Sequence, residues 1–101
     1  KEIFNPLKTD LKLSYSLAYC VVKPGMVTLI HKLKSSEVYY IISGEGRMLI
    51  NDEMQTVKAT DTIYIPPMTL QNIHNTGNTD LVFLCIVDPA WKKEDEIVER
   101  V

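Results

Sequence analysis

Short apolar or alternating runs, each ended by a turn signal, recur along most of this chain and limit its fold more than any other feature. Lys-Pro-Gly, Ser-Gly-Glu-Gly, Asn-Asp-Glu, Pro-Pro and Thr-Gly-Asn separate the runs, at the spacing of roughly eight to twelve residues that is typical of β-sandwiches and barrels. β-branched and aromatic residues are frequent within the runs, as expected of strands. The sequence therefore predicts an all-β fold.

We predict a short edge strand near residues 3–4, followed by strands over 11–22, 26–33, 37–42, 47–50, 54–58, 62–65, 70–75 and 81–87. The last of these runs, LVFLCIV, is apolar at every position. A continuous apolar run of this length predicts a strand that is buried on both faces. We therefore expect residues 81–87 to lie at the centre of the fold.

The end of the chain follows a different pattern. Asp88-Pro89 offers an N-cap followed by proline at the first helical position. Beyond it, Ile97, Val98 and Val101 are spaced among charged residues as on one side of a helix. We therefore predict a short C-terminal helix over residues 91–101.

Size and charge exclude several classes of function. The 101 residues suffice for one domain, 1–101, with a barrel core over about 12–88. The net charge of −2 shows no basic excess, so we expect neither a nucleic-acid partner nor binding to an anionic membrane. No apolar run reaches the roughly 20 residues of a membrane span, and the opening residues do not resemble a secretory signal. We expect a soluble, cytoplasmic protein in which Cys20 and Cys85, outside any C-x-x-C spacing, act as small hydrophobic residues.

Two ionisable residues between glycine turns carry the only plausible chemistry, and they are His31 and Glu37. Because side chains alternate along a strand, Leu33 shares a face with His31, and Tyr39 shares one with Glu37. Two interpretations stay open. The two residues form a buried pair in which the carboxylate accepts the imidazole proton, or they persist because a metal ion or a substrate proton binds there. Tyr39 is either a core residue or a donor to a bound oxygen.

These residues stand in a pattern that resembles the first motif of the cupin family. That motif runs glycine, five residues, His, one residue, His, three or four residues, Glu, six residues, glycine. Gly25, His31, Glu37 and Gly44 occupy the corresponding places, and Gly46 completes the usual G-x-G turn. The resemblance covers roughly residues 12–91. It implies a small antiparallel barrel, described as a jelly roll or double-stranded β-helix, and a homodimer.

The second cupin motif is only partly present. Pro66 and Asn75 match it, whereas Thr60 and Met68 stand at its two glycines and Gln71 at its histidine. If the turn keeps the family conformation, Met68 must adopt a positive φ at a cost of about 1 kcal/mol. We expect the turn to have changed type instead.

The metal site that the resemblance implies is therefore reduced. Typical cupins hold one ion with two motif-one histidines, the glutamate and the motif-two histidine; here Leu33 and Gln71 take two of those places. The resemblance leaves His31, Glu37 and Gln71 as ligands for Mn, Fe, Ni, Cu or Zn. His74, out of phase with Gln71 by three residues, is expected to point away from this pocket.

Three functions follow from this pattern. The first is a small-molecule-binding cupin whose pocket holds the reduced metal site, where the ion of a metal-dependent enzyme would act as a Lewis acid on a carbonyl or sugar-type hydroxyl. The second is a metal-free isomerase or epimerase that moves a proton with His31 oriented by Glu37. The third is a non-catalytic binding or sensor domain. If the protein is an enzyme, isomerase or lyase-type activity is favoured over dioxygenase activity, because the two-histidine, one-carboxylate iron triad is incomplete. Trp91 either closes a barrel end or meets a second subunit.

Overall fold

A computed structural model describes residues 1–98 and has ten β-strands in two antiparallel sheets. The strands are β1 Glu2–Phe4, β2 Ser16–Val22, β3 His31–Leu33, β4 Ser36–Ser43, β5 Glu45–Ile50, β6 Glu53–Lys58, β7 Thr62–Ile65, β8 Gln71–Asn75, β9 Leu81–Asp88 and β10 Glu96–Val98. Sheet A has the order β1-β2-β9-β4-β7, and sheet B has the order β10-β3-β8-β5-β6. The predicted all-β barrel is confirmed.

The core lies between the two sheets. Alternate side chains of the central strands point inward, and five apolar ones, contributed by both sheets, are almost completely inaccessible to solvent: Ile41, Met48, Ile65, Ile73 and Leu81. The predicted alternation is therefore correct for the central strands. It places Glu37 and Tyr39 on the inner face of β4 and Gln71 on the inner face of β8.

The predicted strand over residues 26–33 is mostly irregular. Only His31–Leu33 is regular, and Val27 forms an isolated bridge with His74. The backbone N–H of Thr28 instead donates to the carbonyl of Ile73, at 3.0 Å. Residues 26–30 run alongside β8 but do not form a continuous ladder of hydrogen bonds with it. Their exposed apolar side chains therefore do not alternate between two faces as those of a strand do.

The predicted C-terminal helix is wrong over the residues that the structure describes. Lys93–Asp95 form only a 3-10 turn, and Glu96–Val98 then pair with β3 as β10. No side chain caps the turn, and Asp88 belongs to β9 rather than to an N-cap. The free edge of β3 offers this segment a ladder of hydrogen bonds. Residues 99–101 of the predicted helix lie outside the described part of the chain.

The turn that contains Met68, which we expected to change type, keeps a left-handed backbone conformation. Met68 has φ +57° and Thr60 has φ +74°, so both positions of the second-motif glycines retain the conformation that favours glycine. Hydrogen bonds hold both residues: Met68 N–H donates to the carbonyl of Leu33 at 2.7 Å, and Thr60 N–H to that of Ile41 at 2.8 Å. The prediction for Met68 is therefore wrong, because the sheet framework imposes the backbone conformation.

The prediction that the apolar run 81–87 is buried on both faces is only half correct. Phe83, Cys85 and Val87 point into the core, but Leu84 is only half-buried and Ile86 is 36% exposed on the outer face of sheet A. Cys20 and Cys85 are both free thiols. Within residues 1–98 we find no helix with the length and apolar character that crossing a membrane requires.

Candidate functional site

A cavity of about 260 Å³, called the pocket below, lies between the two sheets. Strands β2, β4 and β9 of sheet A and β3 and β10 of sheet B contribute its walls. The N-terminal segment and Trp91 complete them. The Lys8 side chain in this lining is 61% exposed, so the pocket reaches solvent on that side.

Glu37 is the buried carboxylic acid of the pocket wall. Its side chain, only 4% exposed, projects from the inner face of β4. One carboxyl oxygen accepts a hydrogen bond from the Gln71 amide nitrogen, and the other lies 3.6 Å from the Cys85 sulfur. Burial raises the pKa of the Glu37 carboxyl, although the Gln71 hydrogen bond and the charge of His31 act in the opposite direction. Glu37 therefore holds a proton more readily than an ordinary glutamate does.

Gln71 connects Glu37 to Tyr39. Its amide oxygen accepts a hydrogen bond from the Tyr39 hydroxyl at 3.0 Å, while its amide nitrogen donates to Glu37. The Tyr39 ring stacks on Phe83 with the ring centres 4.6 Å apart, which fixes the hydroxyl in the core. Burial, and next the nearby Glu37, raises the pKa of Tyr39 well above its usual range. Tyr39 therefore stays a neutral donor, and both ends of the Gln71 amide are occupied.

His31 lines the same pocket, but its close polar contacts are with residues other than Glu37. Its Nδ1 is 3.0 Å from the carbonyl oxygen of Leu29, and its Nε2 is 3.8 Å from a carboxyl oxygen of Glu96 on β10. The structure thus brings His31 and Glu37 to one pocket without the direct bond expected of a structural pair. Leu33 follows His31 on β3 and is buried at 3% exposure.

The two ends of the described chain meet beside the pocket. The Asn5 amide donates to the carbonyl of Trp91 at 2.8 Å and to Glu2 at 2.9 Å, and Asn5 itself is 2% exposed. The Lys8 ammonium lies 5.7 Å from the centre of the Trp91 ring. Trp91 packs against the core as well as lining the pocket. Of the two roles left open for it, this placement matches closure of the barrel.

Sequence reasoning missed several residues of the pocket, among them Cys85 beside Glu37 and Glu96 beside His31. Alternation along β9 could have placed Cys85 there, because this residue shares the inner face of that strand with Phe83 and Val87. Glu96 was missed because its segment was expected to be helical. His74 lies on the other face of β8 from Gln71 and does not line the pocket, as expected.

The donors present do not fit the four-ligand metal centre that the cupin resemblance implies. Leu33 occupies one ligand position, and the Gln71 oxygen already accepts from Tyr39. Both Glu37 oxygens have protein neighbours, which are Gln71 and Cys85. Within residues 1–98, no three His, Cys, Asp or Glu side chains come together as a group able to hold an ion.

Two antiparallel sheets with a pocket between them define a small β-barrel. The chain belongs to the cupin family, because the model described as cupin domain matches residues 18–87. An uncharacterised protein of Methanocaldococcus jannaschii is 48% identical over 86 residues, covering 83% of this chain and 69% of that protein. An oxalate-binding protein of Thermotoga maritima is 38% identical over 65 residues, covering 63% of this chain and 54% of that protein.

A solved structure shows the same fold. The cupin 2 domain-containing protein from Halorhodospira halophila superposes with a TM-score of 0.84 at 24% identity, covering 100% of this chain and 68% of that one. At this identity the likeness concerns the fold alone. The chain spans about half the length of the oxalate-binding protein, so oxalate binding is a property of a longer protein.

Proposed function

We propose that this cupin domain binds a small polar molecule in the pocket through Glu37, His31 and Glu96, without the family metal centre. The main support for this proposal is that Glu37 is buried at the pocket wall and hydrogen-bonded to Gln71, rather than left free to bind an ion. A buried carboxyl with a raised pKa is typical of functional sites. The volume of about 260 Å³ equals that of roughly nine waters at about 30 Å³ each, which suits a ligand of monosaccharide size.

The charges of the pocket favour a ligand without net negative charge. Three carboxyl groups, from Glu2, Glu37 and Glu96, face the pocket, against one lysine, Lys8, and the titratable His31. Carboxylates accept hydrogen bonds from hydroxyl and ammonium groups and repel other carboxylates. The ligand is therefore a small molecule with several hydrogen-bond donors, either neutral or cationic.

This ligand class differs from the one in the name of the Thermotoga maritima relative. Oxalate is a dianion, and binding it here without a metal ion would place it among the three carboxyl groups of the pocket. Burial increases such repulsion because the local dielectric constant is lower than that of water. Oxalate binding is thus not transferred from the relative to this chain.

A titration followed by ¹H–¹⁵N NMR tests the proposal. Protein treated with chelator is mixed in turn with mannose, ethanolamine and oxalate. We expect mannose or ethanolamine to shift the amide signals of His31, Glu37 and Cys85, and oxalate to leave them unchanged. Glu37→Gln should weaken that binding, whereas Glu53→Gln, on the exposed start of β6, should not. Pocket shifts caused by oxalate alone would contradict the proposal.

The raised pKa of Glu37 favours a second candidate function, metal-free proton transfer. An ionised Glu37 can take a proton from carbon next to a carbonyl group, while a protonated His31 gives one to the carbonyl oxygen. Glu37 then returns its proton to the same or the neighbouring carbon of the enediol, and His31 takes back a hydroxyl proton as the carbonyl group re-forms. This is the isomerase reaction, and its efficiency improves when the pKa of the base lies close to the working pH.

Solvent exchange measures this activity directly. Dihydroxyacetone, a neutral hydroxyketone, is incubated in D₂O with the protein, and loss of its carbon-bound hydrogen signal is followed by NMR. We expect exchange above the buffer rate, reduced by both Glu37→Gln and His31→Ala. Exchange at the buffer rate, with mannose or ethanolamine still bound, leaves the domain a binding protein without this activity.

A metal-dependent version needs a rearrangement. For Gln71 to join His31 and Glu37 on a transition metal, its amide oxygen must turn to the side on which its nitrogen now donates to Glu37, and the Tyr39 hydroxyl would then be buried without its acceptor. Such an orphaned group costs roughly 1–3 kcal/mol. Metal binding therefore has to offset the loss of an existing hydrogen bond, which the metal-free pocket keeps.

A further inference from the structure

Three side chains at the mouth of the pocket form a cluster to which the proposed function gives no separate role. Glu2, Lys8 and Trp91 all belong to the pocket wall. The Lys8 ammonium donates to Glu2 Oε1 at 3.0 Å and lies over the Trp91 ring, 5.7 Å from its centre. A carboxylate and the face of an aromatic ring are both groups that bind ammonium ions in proteins. The chain's own lysine therefore occupies a place that suits an ammonium group.

A buried asparagine fixes both groups that surround the Lys8 ammonium. The amide nitrogen of Asn5, a residue that is 2% exposed, donates to Glu2 Oε2 at 2.9 Å and to the carbonyl oxygen of Trp91 at 2.8 Å. Its amide oxygen accepts from the N–H of Leu7 at 3.0 Å. One buried side chain thus positions the carboxylate and the aromatic residue together, and Glu2 Oε1 stays available to a cation. A binding site positioned in advance costs less to occupy.

Lys8 itself is held less firmly than the groups around it. Its side chain is 61% exposed, against 27% for that of Glu2. Exposed ion pairs contribute little to stability, because solvent screens the charges and two side chains lose rotamer freedom. Lys8 can therefore leave the cluster while Asn5 keeps Glu2 and Trp91 in place.

We propose that Glu2 and Trp91 form a subsite for the primary ammonium group of the pocket ligand, and that Lys8 occupies this subsite until the ligand displaces it. The inference rests on the proposed function, because it assigns the ligand of the same pocket to the cationic one of the two classes left open there. The ligand is then a small amino alcohol or amino sugar. Its ammonium group lies at the mouth and its hydroxyl groups extend toward the buried carboxyl of Glu37.

Displacement conserves the charge of the subsite. An incoming ammonium group replaces one positive charge beside Glu2 by another, while the Lys8 ammonium moves into water, where it is strongly hydrated. A neutral ligand offers no such replacement, so Lys8 stays in place and the ligand gains nothing from the subsite. Lys8 is thus a built-in competitor of cations, and its removal should strengthen the binding of cations alone.

A matched pair of ligands tests the assignment. Glucamine and sorbitol have nearly the same size and differ in one group, an ammonium in place of a hydroxyl. Calorimetry of chelator-treated protein at neutral pH should show that Lys8→Ala binds glucamine about tenfold more tightly than wild type does, with the affinity for sorbitol unchanged. Lys8→Arg keeps a cation and should bind glucamine as wild type does.

Lys23→Ala is the matched control for Lys8→Ala. It removes another exposed lysine that pairs with a carboxylate at 3.0 Å, that of Asp80, but neither residue lines the pocket. Equal affinities of Lys8→Ala and wild type for glucamine, or the same gain in Lys23→Ala, would overturn the proposal. If mannose or sorbitol still binds in that case, the proposed function stands and only the ammonium subsite is refuted.

Fluorescence of Trp91 tests the subsite separately from the rest of the pocket. Trp91 is the single tryptophan of the chain, so its emission reports on this place alone. Ethylammonium, which has no hydroxyl group, should change the emission of Lys8→Ala and leave that of Lys8→Ala/Glu2→Gln unchanged. This response, combined with an unshifted amide signal of Glu37 in every ligand titration, would refute the proposed function and leave the cation site standing. No response in Lys8→Ala would refute the cation site.

Discussion

The two segments that carry the cupin motifs differ in what they have kept. The first, residues 25–46, keeps its glycines together with His31 and Glu37. The second, residues 60–75, has lost both glycines and its histidine, yet Thr60 and Met68 still adopt positive φ. Backbone geometry has therefore persisted where the chemistry has changed, because hydrogen bonds from neighbouring strands fix the turns.

Side-chain room explains why a residue other than glycine is tolerated at Met68 but not at Gly44. Met68 is 47% exposed, so its side chain extends into solvent. At Gly44, with φ +89°, a Cβ would lie 2.5 Å from the carbonyl oxygen of Asp80 and 2.9 Å from the Cα of Leu81. The strain of a positive φ is tolerable, but overlap with a fixed strand is not.

Gly44→Ala is expected to have the largest effect on stability. Positive φ and overlap with the β9 backbone together should lower the free energy of unfolding by roughly 3–4 kcal/mol. Gly25→Ala is the matched control, because Gly25 has φ +79° but open space around it, and should cost about 1 kcal/mol. Urea unfolding measures both, and equal losses would contradict the distinction between strain and overlap.

Gln71→Leu tests whether the second segment now supports the first. The substitution leaves the Tyr39 hydroxyl and the Glu37 carboxyl without their partner, so we expect a loss of about 2–3 kcal/mol. Tyr39→Phe removes one member of the chain and should cost less, about 1 kcal/mol. In the double mutant the losses should not add, since the two side chains share one hydrogen bond. Strict additivity would show that Gln71 does not link the segments.

The pH dependence of stability tests the burial of Glu37. Its pKa in the folded state is raised above the ordinary value of 4.5, so the fold favours the protonated carboxyl. This contribution is complete below the unfolded pKa and is lost as the pH rises through the folded one. The unfolding free energy of wild type relative to Glu37→Gln should therefore fall as the pH is raised above about 4.5. A difference that grows with pH would mean that the Glu37 carboxylate is stabilised instead.

The smallest expected effect belongs to Met68→Gly. Relief of the left-handed strain slightly exceeds the extra chain entropy of glycine, so we expect stability to rise by about 0.5 kcal/mol. Met54→Gly is the control: this methionine is also exposed, but it lies in strand β6, where glycine should cost about 1 kcal/mol. Thermal unfolding compares the two. Destabilisation by Met68→Gly would show that the side chain contributes packing.

Local patterns predicted most of the fold. Turn residues located the strands, and alternation placed Glu37, Tyr39 and Gln71 on inner faces. Pairing across the sequence was not predictable in the same way. The segment with Ile97 and Val98 has a helical spacing of apolar residues, but it pairs as a strand with the open edge of β3. No local feature of the sequence predicts that this edge is available. The neighbours of Glu37 depend on register between strands, so the roles of Gln71 and Cys85 became apparent only from the structure.

Titration of Mn²⁺ and Zn²⁺ into chelator-treated protein at neutral pH decides most directly whether the pocket is built on hydrogen bonds or on a metal ion. Calorimetry of the wild-type protein should show no binding of one metal ion per chain at a site formed by His31 and Glu37. The Leu33→His/Gln71→His variant, which restores the family ligands, should gain such binding. One-equivalent binding to wild type that His31→Ala abolishes and His74→Ala preserves would contradict the metal-free pocket.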